Sequence, residues 1–203
     1  MSVVAQTESF VRQFLSDAES GHGWWHIDRV RNTALRIAAL EGDSDPLIVE
    51  LGALLHDIAD AKFHDGDEDI GPRLAREHLR RVGLDEEKVE AVTDIVRHVS
   101  FRKRENIPAR PSPELAAVID ADRLDAMGAI GIARAFHYGG FRNRPIHAPD
   151  GGSSIGHFYD KLLHLKDMMY TATGRRMALE RHAFMERFLD QFYEETQHAP
   201  DHE

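Results

Sequence analysis

The segment LGALLHDIAD, residues 51–60, constrains the fold more than any other stretch of this chain. Five mostly apolar residues run into His56-Asp57, and Asp60 follows one helical turn after His56. An ionised carboxylate taken out of water is costly unless a cation or hydrogen bonds compensate it. A fold that takes this segment into its core must supply that compensation.

Helical periodicity runs through nearly all of the sequence, with no convincing strand alternation. The pattern predicts helices over about 3–20, 25–41, 46–60, 70–82, 86–100 and 113–127. A small-residue helix, GAIGIARAFHYGG, follows and ends at its paired glycines, and two more helices cover about 154–171 and 174–196. Gly42 and Gly83 read as helix stops, while Asp45-Pro46 and Asp85 read as helix starts. The stretches KFHDGDED, FRKRENIPARPS and GGFRNRPIHAPDGGS are loops. No internal repeat or low-complexity linker divides the chain. The expected architecture is a single all-α domain over 1–203, a compact helical bundle.

Placing side chains at 100° per residue shows which polar groups face inward. In the third helix Leu47, Leu51, Leu54 and Ile58 form one apolar stripe. Val49, Ala53, His56, Asp57 and Asp60 share the opposite side, which is small and apolar before it turns polar. That helix is expected to be covered on both faces, its second face ending either in a site or in an exposed polar turn. In the second helix His26, Val30, Thr33 and Ile37 lie on one stripe, so His26 begins the inward face. It is a ligand or a hydrogen-bonded core histidine, whereas His22 reads as a loop residue. In the helix from Pro113, Leu115, Val118, Ile119 and Asp122 share a stripe. Of the three acids in DADRLD, the period selects Asp122 as the one needing a buried partner, leaving Asp120 outside and Asp125 at the edge. An arginine is the alternative to a cation for that partner.

Composition limits what the partner can be. The chain has no cysteine, which excludes disulfides, thiolate metal sites and cysteine nucleophiles. Two imidazoles and two carboxylates, His26, His56, Asp57 and Asp122, form a mixed nitrogen/oxygen set suited to one divalent ion: Mn, Mg, Ni, Co, Fe or Zn. Four protein ligands on an octahedral ion leave two positions for water and substrate. The formal charge of −10 disfavours general nucleic-acid binding but leaves room for a small anion held by local cations. With 42% hydrophobic residues a sizeable core can form. No apolar run approaches the ~20 residues of a membrane span, and MSVVAQTESF does not read as a signal peptide, so a cytoplasmic protein is expected.

Helix-borne His26 in HIDRV, then His56-Asp57 in LLHDIAD, then Asp122 in DADRLDAMG resembles the HD-domain metal-dependent phosphohydrolases over about 25–130. The segments DADRLDAMGAIGIARAFHYGG and SSIGHFYDKLLHLKDMMYTATGRRMA extend the likeness to the small stand-alone bacterial HD proteins, some of which act as nucleotide pyrophosphohydrolases. That resemblance implies hydrolysis of a nucleoside or deoxynucleoside triphosphate to the monophosphate and pyrophosphate, with water activated at the ion. It departs from the alarmone hydrolases of the family, which typically carry an acidic pair shortly after His-Asp where IADAK has only Asp60. Dinuclear HD phosphodiesterases use further histidines in the interval that holds His64, His78 and His98; of these only His98 shares a stripe, with Ala91 and Ile95, that faces inward.

Within this frame Asp60 either orients and deprotonates the attacking water or ends its helix, paired with Lys62 or in solvent. Cations must oppose charge developing on the leaving phosphates. Lys62, His98, Arg123 and Lys161 are the candidate substrate contacts. His157, Lys161 and His164 share a helical stripe that spacing alone reads as a solvated face; the resemblance draws attention to Lys161. Arg102, Lys103 and Arg104 read as a solvated loop or a phosphate-steering patch, and the glycines at 139–140 and 151–152 as lid hinges or plain helix breaks. The competing functions are a 5′-nucleotidase or phosphodiesterase on the same site, a non-catalytic nucleotide-binding module, or a purely structural His/Asp set.

Overall fold

Asp45 starts a helix and ties it to two others. Its carboxylate accepts from Leu47 N–H at 2.8 Å, with Pro46 at the first helical position. It also pairs with Lys88, and its own N–H donates to Glu114 Oε1 at 2.9 Å. A cap of this kind contributes about 0.5–2 kcal/mol. Here it also brings together the N-terminal ends of the third, fifth and sixth helices.

The computed structural model describes residues 1–15, 23–58, 69–99, 107–148 and 152–196. Its elements are α1 (Val3–Phe14), α2 (Trp24–Glu41), α3 (Pro46–Leu55), α4 (Ile70–Arg81), α5 (Glu86–His98) and α6 (Pro113–Asp125). Then follow α7 (Gly128–Phe141), α8 (Gly156–Asp160), a 3-10 segment (Leu162–Met168) and α9 (Ala172–Thr196). The fold is all-α, and no strand occurs among the described residues. None of their helices is long and apolar enough to cross a membrane.

The residues form two compact units, Met1–Asp122 and Arg123–Glu203. The division falls within α6, so no change of composition marks it.

In the first unit α3 is the central strut, packing on α1, α2 and α5. Val49, Leu51, Gly52, Ala53, Leu54 and Leu55 are all buried, so both of its faces are covered, as the double stripe requires. Gly52 permits the approach of α5: a Cβ there would lie 2.8 Å from Ile95 Cδ1. Around this strut Ile27, Leu51, Leu54, Leu55, Ile58, Leu79 and Val92 form the core.

In the second unit α9 packs on α7 and on the 3-10 segment. Its core is aromatic. Phe158 and Phe188 stack with centroids 5.8 Å apart, and Phe136 meets both at 6.1 and 5.9 Å.

Several predicted boundaries are corrected. The third helix ends at Leu55 rather than near 60. Gly139 and Gly140 lie inside the last turn of α7 rather than ending it. The helix predicted over 154–171 is not continuous: α8 stops at Lys161, whose φ of −144° and ψ of −55° break the ladder, and a 3-10 segment follows. The His157, Lys161 and His164 stripe therefore does not exist as one helical face. The first helix is helical to Phe14, and the remainder of its predicted span, from residue 16, lies outside the described residues.

Candidate metal centre

The end of α3 determines how His56 is presented. The last carbonyls of a helix have no intrahelical donor and need one from elsewhere. His56, the C-cap, supplies it: its Nδ1–H donates to Ala53 O at 2.8 Å. Ile58 N–H then reaches back to Leu55 O at 3.2 Å, tightening the chain to three-residue spacing. This local bonding settles the tautomer, because a proton on Nδ1 leaves Nε2 with its lone pair outward. A hydrogen bond of this type, from the far ring nitrogen to a carbonyl, is what orients histidines that ligate metals.

His26 arrives from the first turn of α2, where its backbone N–H bonds Gly23 O at 3.0 Å. Its Nε2 lies 3.2 Å from His56 Nε2, with the rings edge to face at 5.1 Å between centroids. Asp122, near the end of α6, places Oδ1 3.5 Å from His26 Nε2 and 3.8 Å from His56 Nε2. One ligand atom from each of the three residues falls within 4.8 Å of the others. The two imidazoles are almost fully buried, at 3% and 8% exposure, while the Asp122 side chain keeps 28%. The chemistry of the set fits a divalent cation. The outward Nε2 of His56, the Nε2 of His26 and one carboxylate converge, and a cation among them compensates charge that burial would otherwise penalise.

Other expected site residues lie as follows. Asp57, half-buried in the turn after His56, is not among the three converging groups. Asp60 and Lys62 lie outside the described residues, as do His22, His64 and Arg102–Arg104. His98 ends α5 with Nδ1 3.0 Å from Asp94 O and 3.1 Å from Asp94 Oδ1. Arg123 is buried; its guanidinium donates to Met168 O and lies 5.2 Å from the Tyr170 ring centroid. Lys161 is half-buried at the break after α8.

The burial of the acids in DADRLD differs from expectation. Asp120 is fully buried and Asp125 nearly so, the latter pairing with Arg134, whereas Asp122 is the most open of the three. Almost every residue from Leu115 to Asp125 is buried, so the helix has no polar face against which periodicity can be read. Asp122 is in the cluster although it is not the most deeply buried acid. His78 also faces inward, contrary to its expected place off the inward stripe. It stacks on Phe10 at 4.1 Å and bonds Thr7 Oγ1 at 3.0 Å, joining α4 to α1 rather than to the metal centre. Ala53, whose carbonyl orients His56, carries no side-chain signal, so sequence reasoning passes over it.

Comparisons with known proteins identify the family. The HD domain family model matches residues 24–127, a span that contains His26, His56 and Asp122. The chain is 42% identical over 187 residues to the uncharacterized protein YpgQ of Bacillus subtilis, covering 92% of this chain and 90% of that protein. The crystal structure of B. subtilis YpgQ in complex with ADP superposes with a TM-score of 0.80 at 37% identity, covering 95% of this chain and 97% of that one. An HD-superfamily hydrolase from Bacillus thuringiensis superposes with a TM-score of 0.80 at 38% identity, covering 97% of each chain. On the family match, the identity to YpgQ and the converging His26, His56 and Asp122, the chain belongs to the HD domain family.

Proposed function

We propose that the protein is a divalent-metal-dependent phosphohydrolase of small nucleotides. Its favoured reaction converts a nucleoside or deoxynucleoside triphosphate to the monophosphate and pyrophosphate. The observation that carries this reading is the convergence of His26 Nε2, His56 Nε2 and Asp122 Oδ1, with His56 oriented by Ala53 O. The ADP bound in the YpgQ crystal supports a nucleotide as the ligand class.

His26, His56 and Asp122 hold the ion in this reading, and Asp57 joins them from the turn after α3. When bound, the ion lowers the pKa of water and polarises a phosphoryl oxygen. Asp60, four positions after His56 in the sequence, takes the proton of the attacking water in this reading. Lys62 and His98 in the first unit, and separately Lys161 in the second, are the proposed substrate contacts, each a cationic or hydrogen-bonding partner for phosphate oxygens. Arg123, proposed from the sequence as a substrate contact, is buried and also holds the 168–170 segment through Met168 O and Tyr170.

The test is a metal-supplemented panel of nucleotides with every product identified. Pyrophosphate and a monophosphate from a triphosphate support the reading. Inorganic phosphate from a monophosphate assigns a 5′-nucleotidase, and a monoester from a diester assigns a phosphodiesterase. Nucleotide-dependent stabilisation without product assigns a binding module. Undiminished turnover by Asp57→Ala removes Asp57 from the ligand set, and undiminished turnover by His56→Ala refutes the metal-site assignment.

A further inference from the structure

The turn after α7 holds Arg144 against the segment that carries His157 and Lys161. Asn143 adopts a left-handed conformation, φ 52°, and Arg144 N–H reaches back to Gly139 O at 2.8 Å. The next two carbonyls, of Pro145 and Ile146, accept from Ser154 N–H and Ile155 N–H, each at 2.9 Å. Gly139 meets Ser154 so closely that a Cβ on it would lie 2.1 Å from Ser154 Oγ. From Ile155 the chain runs directly into α8. His157 N–H bonds Ser153 O at 3.3 Å, and Lys161 N–H bonds His157 O at 3.1 Å. Arg144 is exposed beside the Tyr138 ring, 5.7 Å from its centroid, and His157 and Lys161 are half-buried.

Electrostatics support the clustering. Burial first, and then the positive charges of Lys161 and Arg144, hold the His157 imidazole below its ordinary proton affinity, with only Asp160 acting the other way. Permanent cations that crowd a half-buried imidazole repel any proton it takes up. An oxyanion placed among them relieves that repulsion and lets the imidazole donate a further charge-assisted hydrogen bond.

We propose that Arg144, His157 and Lys161 form an anion-binding cluster in the second unit that takes the phosphate chain of a nucleoside di- or triphosphate. The choice of ligand rests on the phosphohydrolase reading; the cluster does not. Lys161 is expected on other grounds to contact substrate, and Arg144 and His157 are the new members. In a protein of net charge −10, such a local group is what an anion requires.

The test measures binding of inorganic pyrophosphate to the full-length protein by calorimetry, first with a chelator and then with added Mn. His157 is followed in parallel by its imidazole proton resonances. Arg144→Gln and Lys161→Gln should each weaken binding at least tenfold under both conditions, with Lys161→Arg restoring most of it. Arg142→Gln, which removes the same charge from an exposed neighbour, should leave binding unchanged. Pyrophosphate should raise the pH at which His157 titrates. Unchanged affinity in Arg144→Gln and Lys161→Gln, an equal loss in Arg142→Gln, or an unmoved His157 titration overturns the proposal. Turnover is not read here, so the outcome is separate from that of the nucleotide panel. Pyrophosphate binding without hydrolysis refutes the enzymatic reading alone, and hydrolysis without these losses refutes the cluster alone.

Discussion

Asp122→Asn should abolish most of the stabilisation that a divalent ion confers, and the size of the effect can be worked out. Asp122 is the sole carboxylate in the converging trio, with Oδ1 3.5 and 3.8 Å from the two imidazole nitrogens. An ion that binds only the folded state at 100 times its Kd adds about 2.7 kcal/mol. In a chain of this size about 1 kcal/mol moves Tm by roughly 2–4 °C, so the wild type should gain about 5–11 °C. Loss of an outer-shell partner alone typically weakens metal affinity by about 10–100-fold. Removing the one carboxylate of the trio should reach at least the upper figure. At a 100-fold weaker Kd the same ion concentration contributes RT ln 2, about 0.4 kcal/mol, or about 1–2 °C. Thermal unfolding monitored by circular dichroism, with and without Mn, measures both shifts. Asp190→Asn, an exposed carboxylate on α9, serves as the charge control and should behave as wild type. A metal-induced shift in Asp122→Asn as large as that of the wild type refutes the assignment.

Burial, followed by the Arg81 charge, lowers the pKa of His78. The unfolded chain then binds more protons than the folded one below the ordinary value of about 6.5. Its contribution is complete above that value and is lost as pH falls toward the lowered folded value. Urea unfolding at pH 7.5 and 5.5 should show this loss, and His78→Phe should flatten it. Gly139→Ala drives a Cβ to 2.1 Å from Ser154 Oγ and should cost about 1–3 kcal/mol as overpacking. Adding Ser154→Ala should recover part of that cost, a coupling that a double-mutant cycle by denaturant unfolding measures. Asp45→Ala should cost about 0.5–2 kcal/mol for the lost cap, with Asp45→Asn losing less because its side chain still accepts from Leu47 N–H.

The parts of this fold that were legible in the sequence are those fixed by local bonding. Asp45-Pro46, Gly42, Gly83 and Asp85 mark their helix ends because a cap or a left-handed residue acts within a few positions of itself. His26 and His56 were legible because each stands at the end of an apolar stripe in an otherwise amphipathic or doubly covered helix. Asp122 was singled out by a period that α6 does not obey, since Asp120 and Asp125 are buried more deeply. The end of α3 at Leu55 was hidden because no glycine or proline marks it; the His56 ring and the Ile58 amide close the helix instead. The break at Lys161 was hidden for the same reason, because FYDKLLHLKDM keeps an unbroken helical pattern while the chain tightens to three-residue spacing.

His26, His56 and Asp122 should together hold the ion on which the proposed hydrolysis depends. Anomalous diffraction at the manganese edge, from crystals grown with Mn, tests it most directly. One strong peak is expected within coordination distance of His26 Nε2, His56 Nε2 and an Asp122 carboxylate oxygen, lost in His56→Ala. A protein that turns over nucleotide with no peak among these three residues, or with its peak elsewhere, contradicts it.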